Sequence, residues 1–302
     1  MKGPLADVFP PLQDVELPFS RDQFFLLLAG VNEIFLGIDI YLAHKISGTI
    51  VPREWIPIIF GPIAGVLIFL AGWIAFRRRA LATIIANLVF LASIAVGLLG
   101  AYYHVVRAIL PTGPAGQSVT VSLLVWAPPV VGPLVFSLVG LVGISAVWIE
   151  DPVDSGRLRI FGERHIQLPY SKTRAYLFMV SLGTLATLLS SQLDHARTSF
   201  ENPWLWVPIA AGVFGILVPF VMALLPSPSR ADYMVYIAAM LALIAVGVIG
   251  AVLHVNQNLT ASGQFVGERF IRGAPFLAPL LYANMGTLGL LVLLDAEEKQ
   301  AA

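Results

Sequence analysis

The chain has 302 residues, 58% of them hydrophobic and 12% charged, with no cysteine, a mean hydropathy of +0.84 and a formal net charge of zero. That much apolar surface exceeds what a soluble core hides, so the sequence reads as an all-α integral membrane protein. Zero net charge argues against a nucleic-acid partner. The lack of cysteine excludes disulfides, Cys-ligated iron–sulfur clusters and thiolate zinc, leaving His, carboxylate or backbone ligands for any metal.

Residues 1–21, with Asp7, Pro10, Pro11, Asp14, Glu16 and Pro18, lack the basic start and short apolar stretch of a secretory leader and are expected to form a cytoplasmic tail. Eight apolar runs follow, with limits near 22–44, 55–76, 81–108, 128–149, 173–195, 204–225, 233–255 and 275–295, each about the 20 residues that a spanning helix needs. Eight spans place both termini on one side. That side carries Lys2, Arg21, Arg77, Arg78, Arg79, Arg157, Arg159, Arg164, Lys172, Arg174, Arg230 and Lys299. The other carries Lys45, Arg53, Arg107, Arg197, Arg269 and Arg272, so the termini are expected in the cytoplasm of a bacterial-type inner membrane.

The halves repeat. Trp55-Ile56-Pro57 recurs as Trp206-Val207-Pro208, and His44 falls on His195. The third and seventh runs both close on G-x-x-G-x-x-x-H, as Gly97, Gly100, His104 and Gly247, Gly250, His254. The fourth and eighth both open on P-x-x-(small)-P-L, as Pro129, Gly132, Pro133, Leu134 and Pro275, Ala278, Pro279, Leu280. Four spans per copy give parallel repeats. The expected layout is a tail 1–21, a four-helix unit 22–150, a cytoplasmic linker and hinge 151–172, a second four-helix unit 173–295 and a tail 296–302.

Four histidines, His44, His104, His195 and His254, end odd-numbered helices on the outer side, and first and third helices are diagonal neighbours in an up-down-up-down bundle. Paired imidazoles there suit ligation of haem b or another metal. Gly97 and Gly100 share a helix face with His104, as Gly247 and Gly250 do with His254, so a flat macrocycle could lie against each smooth face. Glycines at this spacing more often let two helices approach closely, which is the competing reading. His165, in the linker, has no partner by this pattern.

Glu33 falls near mid-membrane, where an ionised carboxylate is costly, so it should face the interior protonated or paired. With Asp39 it forms an acidic step unique to the first half; the matching stretch holds Ser181, Thr184, Thr187, Ser190, Ser191 and Gln192. A proton path, a quinone headgroup or a hydrogen bond to a neighbouring helix would each account for it. Asp194 is read as an interfacial charge. Nucleotide-binding glycine loops, zinc-protease helices and nucleophile elbows are absent from the sequence.

The pairing of G-x-x-G-x-x-x-H with P-x-x-(small)-P-L resembles a group of bacterial multi-span membrane proteins that accompany extracytoplasmic oxidoreductases. The layout is also similar to the quinone-interacting membrane subunits of molybdoenzyme complexes. These resemblances imply an electron-transfer subunit, with an extracytoplasmic redox protein and other membrane subunits as partners and the quinone pool as electron source or sink. A transporter that uses Glu33 to carry a proton or cation, and a cofactor-free scaffold, are the alternatives.

Overall fold

The computed structural model describes residues 3–46, 48, 50–109, 125, 129–162 and 164–296. Lys2, Lys299, the first residue of the fourth expected span and the tail beyond Ala296 lie outside the described residues. The fold is helical: α1 (Pro4–Val8), α2 (Arg21–Ile46), α3 (Trp55–Ala75), α4 (Arg79–Ile109), α5 (Leu134–Val147), α6 (Lys172–Ala196), α7 (Trp206–Leu224), α8 (Arg230–Asn258), α9 (Gly267–Arg272) and α10 (Leu280–Val292). Between α5 and α6 lie three short strands, β1 (Ile149–Glu150), β2 (Arg157–Phe161) and β3 (Arg164–Gln167).

Six of these helices, α2, α3, α4, α6, α7 and α8, are long and apolar enough to cross a membrane. Helices α5 and α10 are apolar but have only 14 and 13 residues, a rise of about 20 Å against a hydrocarbon layer of about 30 Å. The apolar runs expected over 128–149 and 275–295 are therefore only partly helical. Pro129 and Pro133, like Pro275 and Pro279, lack the N–H that would extend the helix backwards, and turns replace its first part.

The helices pack in two rings. In the first, α2 meets α3, α3 meets α4, α4 meets α5 and α5 returns to α2; in the second, α6, α7, α8 and α10 close in the same order. The rings touch where α5 meets α6 and where α10 and α9 meet α2. Inward faces are lined by Phe25, Phe90, Phe136, Tyr176, Met240 and Leu243, all buried, while Trp73, Phe76, Leu88 and Ile249 stand out from the helices. An apolar exterior of this kind is consistent with contact with a lipid bilayer.

Residues 151–172, expected as a flexible linker, are tied down. The strands form an antiparallel sheet in the order β1-β2-β3, with Glu150 opposite Leu158 and Leu158 opposite Ile166. His165 is half-buried on β3. The carboxylate of Glu150 accepts from the N–H of Gly156 at 2.7 Å and of Lys172 at 2.9 Å. Lys172 is itself buried; its Nζ donates to Asp22 Oδ2 at 2.5 Å and to the Trp148 carbonyl at 2.6 Å, and Tyr176 OH donates to Asp22 Oδ1 at 3.0 Å. Arg21 Nη1 reaches Thr173 Oγ1 at 2.8 Å. Asp22 and Arg21 belong to the first ring and Lys172, Thr173 and Tyr176 to the second, so a desolvated polar knot joins the rings at this sheet end.

The N-terminal segment is likewise packed. Ala6 and Val8 are buried, Leu5 N donates to Leu293 O at 3.3 Å and Arg230 Nη2 donates to Val8 O at 2.9 Å.

Candidate functional site

The motif shared by the two halves resolves into one contact made twice. His104 Nδ1 lies 2.9 Å from the carbonyl of Pro129, and His254 Nδ1 lies 2.9 Å from that of Pro275. A carbonyl only accepts, so each Nδ1 carries the proton and each Nε2 is left as an acceptor. A Cβ on Gly97 would sit 2.6 Å from Ser137 N and 2.9 Å from Pro133 O, and one on Gly100 would sit 2.7 Å from Pro133 Cβ. The matching atoms for Gly247 and Gly250 are Pro279 O at 2.8 Å and Pro279 Cβ at 2.9 Å. The two sequence motifs are thus halves of one lock: glycines admit the next helix's proline turn, and the histidine donates to a carbonyl whose helical partner four residues on, Pro133 or Pro279, has no N–H to give.

Gly97, Gly100, Gly247 and Gly250 here face a proline turn, which is the close-packing alternative that the sequence also offers. The start of α5 or α10 fills the space a macrocycle would need, so the residues present do not fit a haem against those faces. Among the described residues no group of three or more His, Asp or Glu side chains is placed to hold a metal ion. Substituting Gly97→Leu together with Gly247→Leu is expected to cost about 1–3 kcal/mol or more at each site, because the new side chain meets backbone; thermal unfolding in detergent checks it.

The histidine end of the bundle, opposite the sheet, holds a cavity of about 740 Å³ between the rings. Its walls are largely apolar, with Leu36, Ile40, Val96, Leu99, Val135, Phe136 and Leu281 among them. Its polar lining includes His44, His104, Asp39, Asp194, Ser190 and Glu54. The His44 and His104 rings approach edge to face with centroids 6.1 Å apart. His44 Nδ1 lies 2.9 Å from the Ile40 carbonyl, and its Nε2 is 3.9 Å from Glu54 Oε1, which also lies 4.0 Å from Arg107 Nη1. Asp39 from the first ring and Asp194 from the second are within electrostatic reach of each other.

The pairs therefore differ. His44 and His104 open onto the cavity, whose lining also holds three carboxylates, Asp39, Glu54 and Asp194. His195 and His254 are not among the lining residues; His195 Nδ1 instead lies 3.4 Å from Ser191 Oγ.

Asp194 gains a place in the site that the sequence did not give it. Pairing across the rings leaves no trace in spacing along one chain, and the one signal, its position beside His195, fits an interfacial charge as well.

Glu33 does not join this cavity. It is wholly buried in the first ring, where Oε1 lies 2.6 Å from Ser93 Oγ and Oε2 has no hydrogen-bond partner. Ser93 Oγ also lies 3.0 Å from Val89 O. Ser93→Ala is expected to cost about 1–3 kcal/mol, since it removes the one hydrogen bond of a buried carboxyl group. Glu33→Gln, which keeps shape and polarity, is expected to cost less than Ser93→Ala; unfolding midpoints of the two variants give the comparison.

Comparison with known proteins gives no match to a family model, a curated protein or a solved structure.

Proposed function

We propose that this chain is a quinone-binding membrane subunit of a respiratory-type redox complex, and that the cavity at the histidine end receives the quinone headgroup. The observation that carries this reading is the composition of the cavity: apolar walls between two helical rings, with the His44–His104 imidazole pair and the carboxylates of Asp39, Glu54 and Asp194 among its lining residues. Ligand sites of this kind combine apolar lining with a few convergent polar groups. A quinone has the matching chemistry, an apolar ring and tail with two carbonyl oxygens that become hydroxyls on reduction.

In this reading a protonated carboxyl donates to a quinone carbonyl, and a carboxylate or imidazole Nε2 takes a proton from the quinol hydroxyl. Each quinol oxidised releases two protons, to Asp39, Asp194 or the histidines, and two electrons, to a redox partner protein docked at that end. The protein supplies binding, orientation and proton acceptors. No step is assigned to haem, whose expected cradle is filled by proline turns.

The topology of this proposal is eight spans in two parallel four-helix repeats with both termini cytoplasmic. It is supported by the twofold recurrence of the histidine–proline lock, by the matching order of contacts in the two rings and by the excess of Lys and Arg at the sheet end. The cavity then faces the extracytoplasmic side.

The test is titration of the purified full chain with decylubiquinone. Saturable binding is expected, weakened about tenfold or more in a His44→Ala, His104→Ala double variant through loss of donors or acceptors in a desolvated site. Binding that does not saturate, or that is indifferent to both histidines, overturns the reading.

A further inference from the structure

The segment between α8 and α10, residues 259–274, crosses from the second ring to the first, where α9 packs against α2. From 261 to 273 every residue is exposed except Phe270 and Ile271, and both of these line the cavity, as do Pro275 and Phe276 on the return path. Phe270 sits between Phe265, tilted against it at a centroid distance of 4.5 Å, and Phe276, edge to face at 5.8 Å. The segment therefore presents one apolar side, largely aromatic, and aims it at the cavity.

Its two ends are joined by one side chain. Asn258, 2% exposed at the end of α8, donates from Nδ2 to Ala274 O at 2.7 Å and accepts at Oδ1 from Ala274 N at 2.8 Å. This pair of bonds imitates a backbone bridge and closes a loop whose tip is a tight turn, with Gly263 N donating to Thr260 O at 2.8 Å. Gly273 lies directly under the Asn258 carboxamide, and a Cβ there would collide with Oδ1. An asparagine is costly to bury unless both ends of its amide are paired, and Ala274 pairs them both.

We propose that residues 259–274 form a strap that closes the cavity with an aromatic wall, that Phe270 is the strap side chain against which a planar ring lies, and that Asn258 is the positioning residue that latches it. The ring-binding part rests on the quinone reading; the closure does not.

The absence of cysteine from the chain allows a direct test. A Val96→Cys variant places one thiol in the cavity wall, and Leu98→Cys places a reference thiol on an exposed helix face. Maleimide labelling of the detergent-purified full chain is then timed with and without Asn258→Leu. With the latch removed, the cavity thiol is expected to react roughly tenfold faster, as the loss of two hydrogen bonds implies, while the reference thiol is unchanged. Gly273→Ala, which leaves Asn258 in place and obstructs its seat, is expected to act in the same direction.

Equal cavity-thiol rates with and without the latch overturn the strap, and acceleration at both thiols, which is general loosening, overturns the latch. Decylubiquinone titration of Phe270→Ala reads the ring contact, with an expected loss of about tenfold in affinity. Unchanged affinity removes Phe270 from the site. If the unsubstituted chain fails to bind decylubiquinone, the quinone reading and the ring contact fail together, and the labelling rates still decide the closure.

Discussion

Lys172→Ala is expected to destabilise the protein by about 3–5 kcal/mol, the loss typical of removing one member of a buried charge pair. Lys172 is 1% exposed and binds both Asp22 and the Trp148 carbonyl; without it the Asp22 carboxylate keeps Tyr176 and Arg21, and the carbonyl loses this donor. The truncation also opens space at the contact between the rings. Replacing the whole buried charge set, as Arg21→Met, Asp22→Leu and Lys172→Met together, leaves no uncompensated charge and is expected to cost less than Lys172→Ala alone. Unfolding in detergent separates the two, and equal losses would show that the knot acts by packing rather than by charge.

Asp39→Asn carries the largest expected effect on activity. If Asp39 takes a proton from a bound quinol, an amide of the same shape binds the headgroup but cannot accept the proton. Quinol oxidation by the assembled complex should fall by a factor of about 10² to 10⁴, the usual contribution of a positioned general base. Decylubiquinone affinity should change far less. Asp194→Asn tests the partner across the rings, and because the two carboxylates interact, the double variant is expected to lose less than the product of the single losses. A fall in affinity with the oxidation rate kept once bound would instead assign Asp39 to binding alone.

The helical layout was legible because hydropathy and punctuation act locally. The run expected over 55–76 appears as Trp55–Ala75, with Pro57 in its first turn, and that over 173–195 as Lys172–Ala196, capped by Ser171, whose Oγ accepts from Arg174 N. The sheet was missed although its signal was present: Arg157-Leu-Arg-Ile-Phe alternates, Leu158 is buried, and Gly162 sits at φ +54° between β2 and β3. Reading 151–172 as a hinge rests on polarity, but the sheet fixes the backbone there and Lys172 enters the buried network, while the other described polar side chains are exposed or half-buried.

The histidines show where sequence reasoning runs out. Their recurrence with the glycines and prolines was visible, and so was the diagonal approach that brings His44 to His104. Recurrence alone could not tell a ligand face from a packing face, because both need the same small residues. Contact with the proline turns decides for packing at the glycines. The site itself is assembled from α2, α4, α5, α6, α10, the start of α3 and the 259–274 strap. Only the ring-to-ring contact, which depends on tertiary packing, brings Asp39 and Asp194 together.

The most direct measurement is photolabelling of the purified full chain with an azidoquinone, followed by mass-spectrometric mapping of the modified peptides, with and without excess decylubiquinone. The account predicts saturable labelling confined to the cavity walls, on α2 near Ile40, on α4 near Leu99 and on the strap near Phe270, all lost under competition. Labelling spread over the outer faces near Trp73 and Leu88, and unaffected by competition, would contradict it.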